Sequence, residues 1–88
     1  VGNIKRFNVS KKLKSRLLSW SKVKSADKYQ IAYKKTGSKK WIYRTIRKTK
    51  FVVKKFKKGQ KYYFKVRAIR TVNKKVYYGK WTKVKKIK

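Results

Sequence analysis

The 88-residue chain has no cysteine, no histidine, no proline and only one acidic residue, Asp27. Without cysteine there can be no disulfide, no thiolate nucleophile and no cysteine-based metal site. Without histidine, and with a single carboxylate, the chain also lacks an acid–base pair and a cluster of metal ligands. We therefore expect no enzyme activity, no cofactor, no metal and no small-molecule substrate.

Long apolar segments are missing as well. No run of 18 apolar residues occurs, so the sequence predicts no transmembrane helix. Residues 1–10 alternate polar and apolar side chains, which is not the pattern of a secretory signal. The length suits one domain with one core, so we expect a single domain over residues 1–88. This domain is expected to be a monomer that is joined to neighbouring domains of a longer chain.

Positive charge is what the chain has in excess. Its 32 basic residues give a formal net charge of +31. A folded chain of this size exposes roughly 5,500 Å², or about one net charge per 180 Å². Aromatic residues make up 16% of the chain and fall in alternating patterns, which argues against a disordered basic tail. Because salt screens the repulsion between these charges, we expect the fold to be less stable at low salt.

Apolar and polar side chains alternate with a period of two in several segments, which is typical of β-strands. In the clearest one, residues 62–69, every second side chain is apolar and should face inward. Further strands are expected at residues 28–34, 16–20 and 51–53, near Ile4, Phe7 or Val9, and around Trp81, Val84 and Ile87. Turn-forming residues separate the strands at 36–38, 58–60 and 72–75. This pattern predicts an all-β fold, a seven-stranded antiparallel β-sandwich.

The inward positions should fill one core between two sheets. The residues expected there are Trp20, Tyr29, Ile31, Tyr62, Phe64 and Val66. The last segment departs from strict alternation, because Val84 and Ile87 are three residues apart. A β-bulge or an inward-pointing lysine stem is therefore needed in this segment.

Several of these features together resemble a fibronectin type III domain. Residues 56–68, FKKGQKYYFKVRA, combine an apolar residue, a Gly59 turn, Tyr62 and an aromatic strand. Trp20 and the segment Tyr78–Thr82 also match, so the resemblance covers nearly the whole chain. It implies an immunoglobulin-like sandwich in which the Tyr62 hydroxyl bonds the backbone near the preceding turn.

The chain is especially similar to lysine-rich versions of this domain in secreted and wall-attached proteins of Gram-positive bacteria. That resemblance implies a non-catalytic spacer or adhesion module with an extracellular or cell-wall location. Relatives carry acidic residues on the outward positions where this chain carries lysine or arginine. An engineered, supercharged scaffold for polyanion complexation or charge studies is therefore a second interpretation. A nucleic-acid-binding module is a third, although no nucleic-acid-binding motif is present.

Basic clusters are the candidate binding residues. The lysines expected to bind polyanions diffusely are Lys34, Lys35, Lys39, Lys40, Lys54, Lys55, Lys57, Lys58, Lys74, Lys75, Lys83, Lys85 and Lys86. Teichoic acids, nucleic acids and heparin-like glycans are the expected partners, because each releases counterions when it binds a cationic surface. Six of the 32 basic residues are arginine, so 26 are lysine. Lysine acts as a point charge, which predicts weakly selective and strongly salt-dependent binding.

Two other residue types need an interpretation. Asp27 precedes an expected strand, where aspartate commonly closes a turn, and we assign it that role. Trp20 is expected in the core, and Trp81 is expected to be half-buried beside a neighbouring strand. Trp41 is the best candidate for an exposed stacking platform, but packing is favoured there too, because large aromatic side chains dominate burial in small domains.

Overall fold

The computed structural model describes residues 2–12, 15–54 and 61–87, and these residues form eight β-strands and no helix. The strands are β1 (Asn8–Lys12), β2 (Ser15–Ser19), β3 (Lys28–Lys35), β4 (Ile42–Ile46), β5 (Lys50–Lys54), β6 (Tyr62–Val72), β7 (Lys75–Tyr78) and β8 (Lys85–Ile87). The predicted all-β class is thereby confirmed. Alternation of apolar and polar residues, together with many β-branched and aromatic side chains, explains why these segments are extended.

The strands form two antiparallel sheets. One sheet has three strands in the order β1-β2-β5, and the other has five. In the five-stranded sheet the order is β4-β3-β6-β7, and β8 pairs with β6 beyond the end of β7. The longest strand, β6, therefore pairs with β3 on one side and with both β7 and β8 on the other. This connectivity is that of the predicted antiparallel sandwich.

The core lies between the two sheets. Leu18 of β2 faces Ile31, Phe64 and Val66 of the other sheet, and all four side chains are completely buried. Complete burial of each such side chain stabilises the fold by about 1.5–3 kcal/mol. Trp20 is also buried, at 5% exposure, and directly follows β2. The core therefore takes its side chains from the alternate positions that the sequence pattern indicates.

A tyrosine hydroxyl closes one end of the core. Tyr29 is buried, and its ring packs edge-on against Trp20 with 5.5 Å between the ring centroids. The backbone N–H of Val23 donates a hydrogen bond of 2.9 Å to the Tyr29 hydroxyl oxygen. This bond fixes the loop between β2 and β3 to the sheet. It also gives the buried hydroxyl a hydrogen-bond partner, since a buried polar group without one would destabilise the fold.

Tyr62 was expected to make a similar bond to the turn at 58–60. Its ring is half-buried at the edge of the core and stacks on Phe64, with centroids 6.2 Å apart. The turn itself lies outside the described residues. The proposed tyrosine-corner bond therefore stays a prediction.

The strand count is eight where seven were expected, because the last strand is interrupted. β6 continues to Val72 and turns through Asn73 and Lys74 directly into β7. Asn73 and Lys74 have φ angles of 48° and 68°, as a two-residue hairpin of the primed type requires. Trp81 and Val84, which were expected in a strand, lie instead in the segment between β7 and β8.

Candidate polyanion-binding surface

The lysines expected to bind polyanions are distributed over the molecule rather than gathered in one patch. Lys39 and Lys40 follow β3 at one end of the sandwich, and Lys74 and Lys75 lie at the other end, beyond Val72 of β6. Eight of the thirteen are exposed, namely Lys35, Lys39, Lys40, Lys54, Lys74, Lys75, Lys83 and Lys86. The predictions for Lys55, Lys57 and Lys58 lie outside the described residues.

The two remaining lysines are half-buried. Lys85 of β8 pairs with Phe64 and so has the same orientation as the core side chains. Its ammonium group lies 5.6 Å from the centroid of the Phe7 ring. Its aliphatic stem thus covers apolar surface while the charge stays at the rim of the core. This is the inward lysine that the spacing of Val84 and Ile87 required. The other half-buried lysine, Lys34, faces the opposite way.

The outer face of the five-stranded sheet, which is turned away from the core, carries alternating cations and aromatic rings. We call this set the cation–aromatic ladder. In order along the face, its members are Tyr78, Arg67, Trp81, Lys65, Trp41, Lys34, Tyr63 and Lys86. Each cation contacts at least one ring within 6 Å, the distance at which the ring quadrupole attracts a cation.

The contacts are closest in the half of the ladder that begins at Tyr78. The guanidinium carbon of Arg67 lies 3.9 Å from the centroid of the Tyr78 ring and 4.4 Å from that of Trp81. The ammonium nitrogen of Lys65 lies 4.5 Å from the centroids of both Trp41 and Trp81. Each tryptophan ring is therefore contacted by two cations.

The ladder continues toward the other end of the sheet with longer contacts. The ammonium nitrogen of Lys34 is 4.9 Å from the centroid of Trp41 and 5.7 Å from that of Tyr63. Lys86 is 5.8 Å from the centroid of Tyr63. Strand pairing places Lys34, Tyr63 and Lys86 side by side on neighbouring strands, because Tyr63 pairs with both lysines.

Trp81 enters the ladder through a bulge between β7 and β8. Tyr78 pairs with Ile69, whereas Lys85 pairs with Phe64, so six residues intervene on one strand and four on the other. Backbone hydrogen bonds to β6 from Gly79, at 2.9 Å, and Thr82, at 3.0 Å, hold the segment on either side of the bulge. Bulges of this kind redirect a side chain. Here the bulged segment carries Trp81 onto Lys65 and Arg67.

Arg67 is held by more than its two rings. Its Nε–H donates a hydrogen bond of 2.8 Å to the side-chain oxygen of Gln30, which lies beside it on β3. The planar guanidinium can stack on rings and donate in its own plane at the same time. Arg67 is therefore the most constrained cation of the ladder.

Lys65 has an altered titration. Partial burial lowers its pKa below the usual value of 10.5, and repulsion from the charges of Arg67 and Lys34 lowers the pKa further. All three cations lie on the same face, and the rings keep them close together. An anion that bound this face would offset the repulsion between the cations, because it would supply the missing countercharge.

Asp27, the single carboxylate, has a longer-range role than the one assigned from sequence. The local turn is closed by the Ala26 N–H, which donates to the Val23 carbonyl at 3.0 Å. The Asp27 carboxylate instead accepts a hydrogen bond of 2.7 Å from the Thr71 N–H, and its own N–H donates to Ile69 at 2.8 Å. Asp27 thus joins the loop before β3 to the base of the β6–β7 hairpin.

Lys65 and Arg67 were not among the binding residues proposed from sequence. The alternation of residues 62–69 places both on the outward face, which was visible from the pattern alone. The missing information was the position of Trp81, since no periodicity specifies which residue a bulge redirects. Trp41 and Trp81 are both half-buried, and cations contact both rings.

The described ranges also bear on metal binding and on membrane-spanning helices. These residues contain no group of three or more side chains of the metal-binding types. They also contain no helix that is long and apolar enough to cross a membrane.

Comparisons with known proteins agree with this architecture. A family model described as the fibronectin type III domain matches residues 2–85. A search of curated protein sequences found no match. Among solved structures, one described as "Myokine structure" is similar, with a TM-score of 0.77 over 97% of this chain and 93% of that one. The two sequences are 13% identical, so this likeness concerns the fold alone.

Proposed function

Because this chain belongs to the fibronectin type III family, whose members are generally non-catalytic modules, we propose that it is an extracellular spacer and adhesion module that binds anionic polymers. Its partners would be cell-wall teichoic acids, heparin-like glycans or nucleic acids. The module would bind them chiefly by electrostatic attraction and would act as a monomer between neighbouring domains of its host protein.

The observation that carries this proposal is the charge. A net charge of +31 on 88 residues means that acidic side chains do not neutralise the basic surface. Eight of the lysines proposed as binding residues are exposed. A polymer that binds them releases its condensed counterions, and this release favours binding whatever the sequence of the polymer.

The positions of the first and last described residues support the spacer role. Gly2 contacts Ser25, its N–H donating to the Ser25 hydroxyl at 3.4 Å, near the end of the sheet where Ile69 lies. Ile87 pairs with Tyr62 at the opposite end of the same sheet. Ile69 lies seven residues beyond Tyr62 along β6, which is about 23 Å. Domains attached at these two points would be held apart by the sandwich.

A salt titration tests the binding proposal. The protein is titrated with heparin, duplex DNA and purified wall teichoic acid at several NaCl concentrations, with neutral dextran as the control. We expect all three anionic polymers to bind, and the logarithm of each affinity to fall linearly with the logarithm of salt concentration. Absence of binding at 50 mM NaCl, or binding that salt does not weaken, would contradict the proposal.

Cell walls provide a second measurement. The protein should sediment with purified Gram-positive walls at low salt, and removal of wall teichoic acid should abolish most of this binding. Undiminished binding to stripped walls would mean that another wall component is the partner.

A further inference from the structure

We propose that the outer face of the five-stranded sheet is a specific site for an acidic polysaccharide. Carboxylate or sulfate groups of the polymer would bind the cations of the cation–aromatic ladder, and its sugar rings would pack on the exposed rings of Tyr43 and Tyr78. This inference rests on the proposed function and adds to it, because it assigns to one face the binding that charge alone would distribute over the whole surface.

The ladder cations are ordered before any ligand binds. Free lysine and arginine side chains lose rotamer freedom when a ligand immobilises them, and this loss weakens binding. Lys65 is held between two tryptophan rings, and Arg67 is held by two rings and Gln30. An anion at this face therefore meets cations that have little freedom left to lose. The exposed lysines elsewhere in the candidate set lack comparable restraints among the described contacts.

The ladder cations are also arranged in a line. Arg67 and Lys65 are two residues apart on β6, which corresponds to about 7 Å along the strand. Lys34 and Lys86 flank the next outward position, Tyr63, from the neighbouring strands. The four cations thus follow β6 as a row over about 13 Å. Such a row is complementary to an extended chain that carries an anionic group at regular intervals.

The two tryptophans of the ladder favour a sugar polymer over single-stranded nucleic acid. Proteins that bind single-stranded nucleic acid stack bases on open aromatic faces. Here Trp41 and Trp81 each have two cations within 5 Å of the ring centroid, and these contacts reduce the ring surface that is open to a base.

Open aromatic surface is present beside the row. Tyr43 on β4 is 49% exposed toward one edge of the sheet. Tyr78 on β7 is still 51% exposed toward the other edge, although Arg67 lies 3.9 Å from its ring centroid. Tyr43 also packs near Trp81, with 6.3 Å between the ring centroids. The negative face of an aromatic ring attracts the weakly positive C–H groups of a sugar ring. A row of cations with a tyrosine toward each edge of the sheet is complementary to a polysaccharide that carries both charged groups and sugar rings.

The opposite face of the molecule provides a matched control. Lys50 and Lys54 are exposed and lie on the outer face of the three-stranded sheet. A ladder variant, Lys65→Gln with Arg67→Gln, and a control variant, Lys50→Gln with Lys54→Gln, have the same net charge. A third variant, Trp41→Leu, keeps every charge and removes one ring that orders Lys34 and Lys65. Thermal unfolding and near-UV circular dichroism verify that each variant is folded.

The parent and the three variants are titrated at 150 mM NaCl with polygalacturonate, dextran sulfate and oligo-dT of matched charge. Polygalacturonate and dextran sulfate distinguish carboxylate from sulfate as the preferred group. We expect the ladder variant to bind the better of the two at least 10-fold more weakly than the parent, and the control variant less than 3-fold more weakly. Trp41→Leu should lose several-fold in affinity although its charge is unchanged.

Equal losses in the ladder and control variants would overturn the assignment of the site while leaving the electrostatic function intact. Oligo-dT that binds the parent more tightly than both polysaccharides, and loses affinity in the ladder variant, would show a nucleic-acid site instead. Failure of the parent to bind any polyanion in the earlier salt titration would contradict the proposed function itself. Should the ladder variant unfold, the Trp41→Leu result decides, and unchanged affinity there overturns the proposal.

Discussion

The outer faces of the two sheets differ, although both belong to one highly cationic chain. The five-stranded sheet presents the cation–aromatic ladder, in which rings separate four cations. The outward side chains that the structure describes on the three-stranded sheet are Asn8, Ser10, Ser15, Leu17, Ser19, Lys50, Val52 and Lys54. Small polar residues dominate this second face, and neither of its lysines is among the described cation–ring contacts. A net charge of +31 therefore does not imply that every surface holds its cations in the same way.

This difference indicates two ways of tolerating repulsion between cations. On the three-stranded sheet the two outward lysines whose side chains are described, Lys50 and Lys54, are exposed and lie four residues apart on β5, so water and salt screen them. On the five-stranded sheet the cations are close together, and ring quadrupoles supply part of the attraction that carboxylates would supply in an ordinary protein. If this is so, the rings on the outer face of the five-stranded sheet stabilise the fold through their contacts with the cations, and variants of the two faces should differ.

The largest effect is expected from removing a ring that contacts two cations. Trp81→Ala should destabilise the fold by about 2 kcal/mol, because it removes half-buried aromatic surface and two cation–ring contacts. The matched change on the other face, Leu17→Ala, should cost about 1 kcal/mol. Urea denaturation of both variants measures the difference, and equal losses would mean that the ladder adds nothing beyond ordinary apolar contact.

The β6–β7 hairpin of the five-stranded sheet depends on Asp27. Asp27→Ala should destabilise the protein by about 1 kcal/mol, because the Thr71 N–H loses a charge-assisted hydrogen bond. Hydrogen exchange should show reduced protection at Thr71. On the three-stranded sheet, Asn8→Ala removes only a 3.4 Å contact with the Arg6 carbonyl and should have a much smaller effect. Unchanged exchange at Thr71 would show that the carboxylate does not hold the hairpin.

Coupling between a cation and a ring is expected to be smaller. A double-mutant cycle with Lys65→Met and Trp41→Leu should give a coupling energy of about 0.5–1 kcal/mol. The same cycle on the three-stranded sheet, with Lys50→Met and Val52→Ala, should give a value near zero. A coupling as large on the second pair as on the first would remove the contrast between the two faces.

The smallest effect concerns titration. The pKa of Lys65 is lowered by burial and by the charges of Arg67 and Lys34, so Arg67→Gln should raise this pKa. Lys50→Gln, on the opposite face, should leave the pKa of Lys65 unchanged. NMR titration of the lysine side-chain signals makes the measurement, and a shift of equal size in both variants would mean that Lys65 responds to total charge.

The same pKa has a consequence for stability. Below the lowered pKa, Lys65 is protonated in both folded and unfolded chains, and the folded state carries the full penalty of its charge. As the pH rises from that pKa toward 10.5, the folded state releases its proton first, so the contribution of Lys65 to stability increases. A pH series on the parent and on Lys65→Met isolates this contribution, which should disappear in the variant.

The fold could be predicted from the sequence, because inward apolar residues recur at every second position in the strands that supply most of the core. Ile31, Phe64 and Val66 occupy every second position of long strands, so their side chains lie on the face of the sheet that packs on the core. The exposed lysine clusters could be found in the same way, since lysine runs beside a turn are solvated.

The ladder could not be found in this way, because it depends on contacts between strands that are distant in sequence. Lys65 and Arg67 were predictable as outward residues, but the rings that order them come from other segments. Trp81 reaches them only because two extra residues lie between β7 and β8. The break in alternation near Val84 and Ile87 predicted a β-bulge or an inward lysine in this segment. It could not indicate which side chain a bulge would redirect.

The number of extra residues in that bulge also restricts how the chain can vary in length. Side chains alternate between the two faces of a strand, so an excess of two leaves β8 with Lys86 outward and Ile87 inward. Deleting Lys80 alone would exchange the faces of β8 and turn Lys86 toward the core. Deleting two residues would restore the orientation of β8. Viable insertions and deletions between Gly79 and Val84 should therefore come in even numbers.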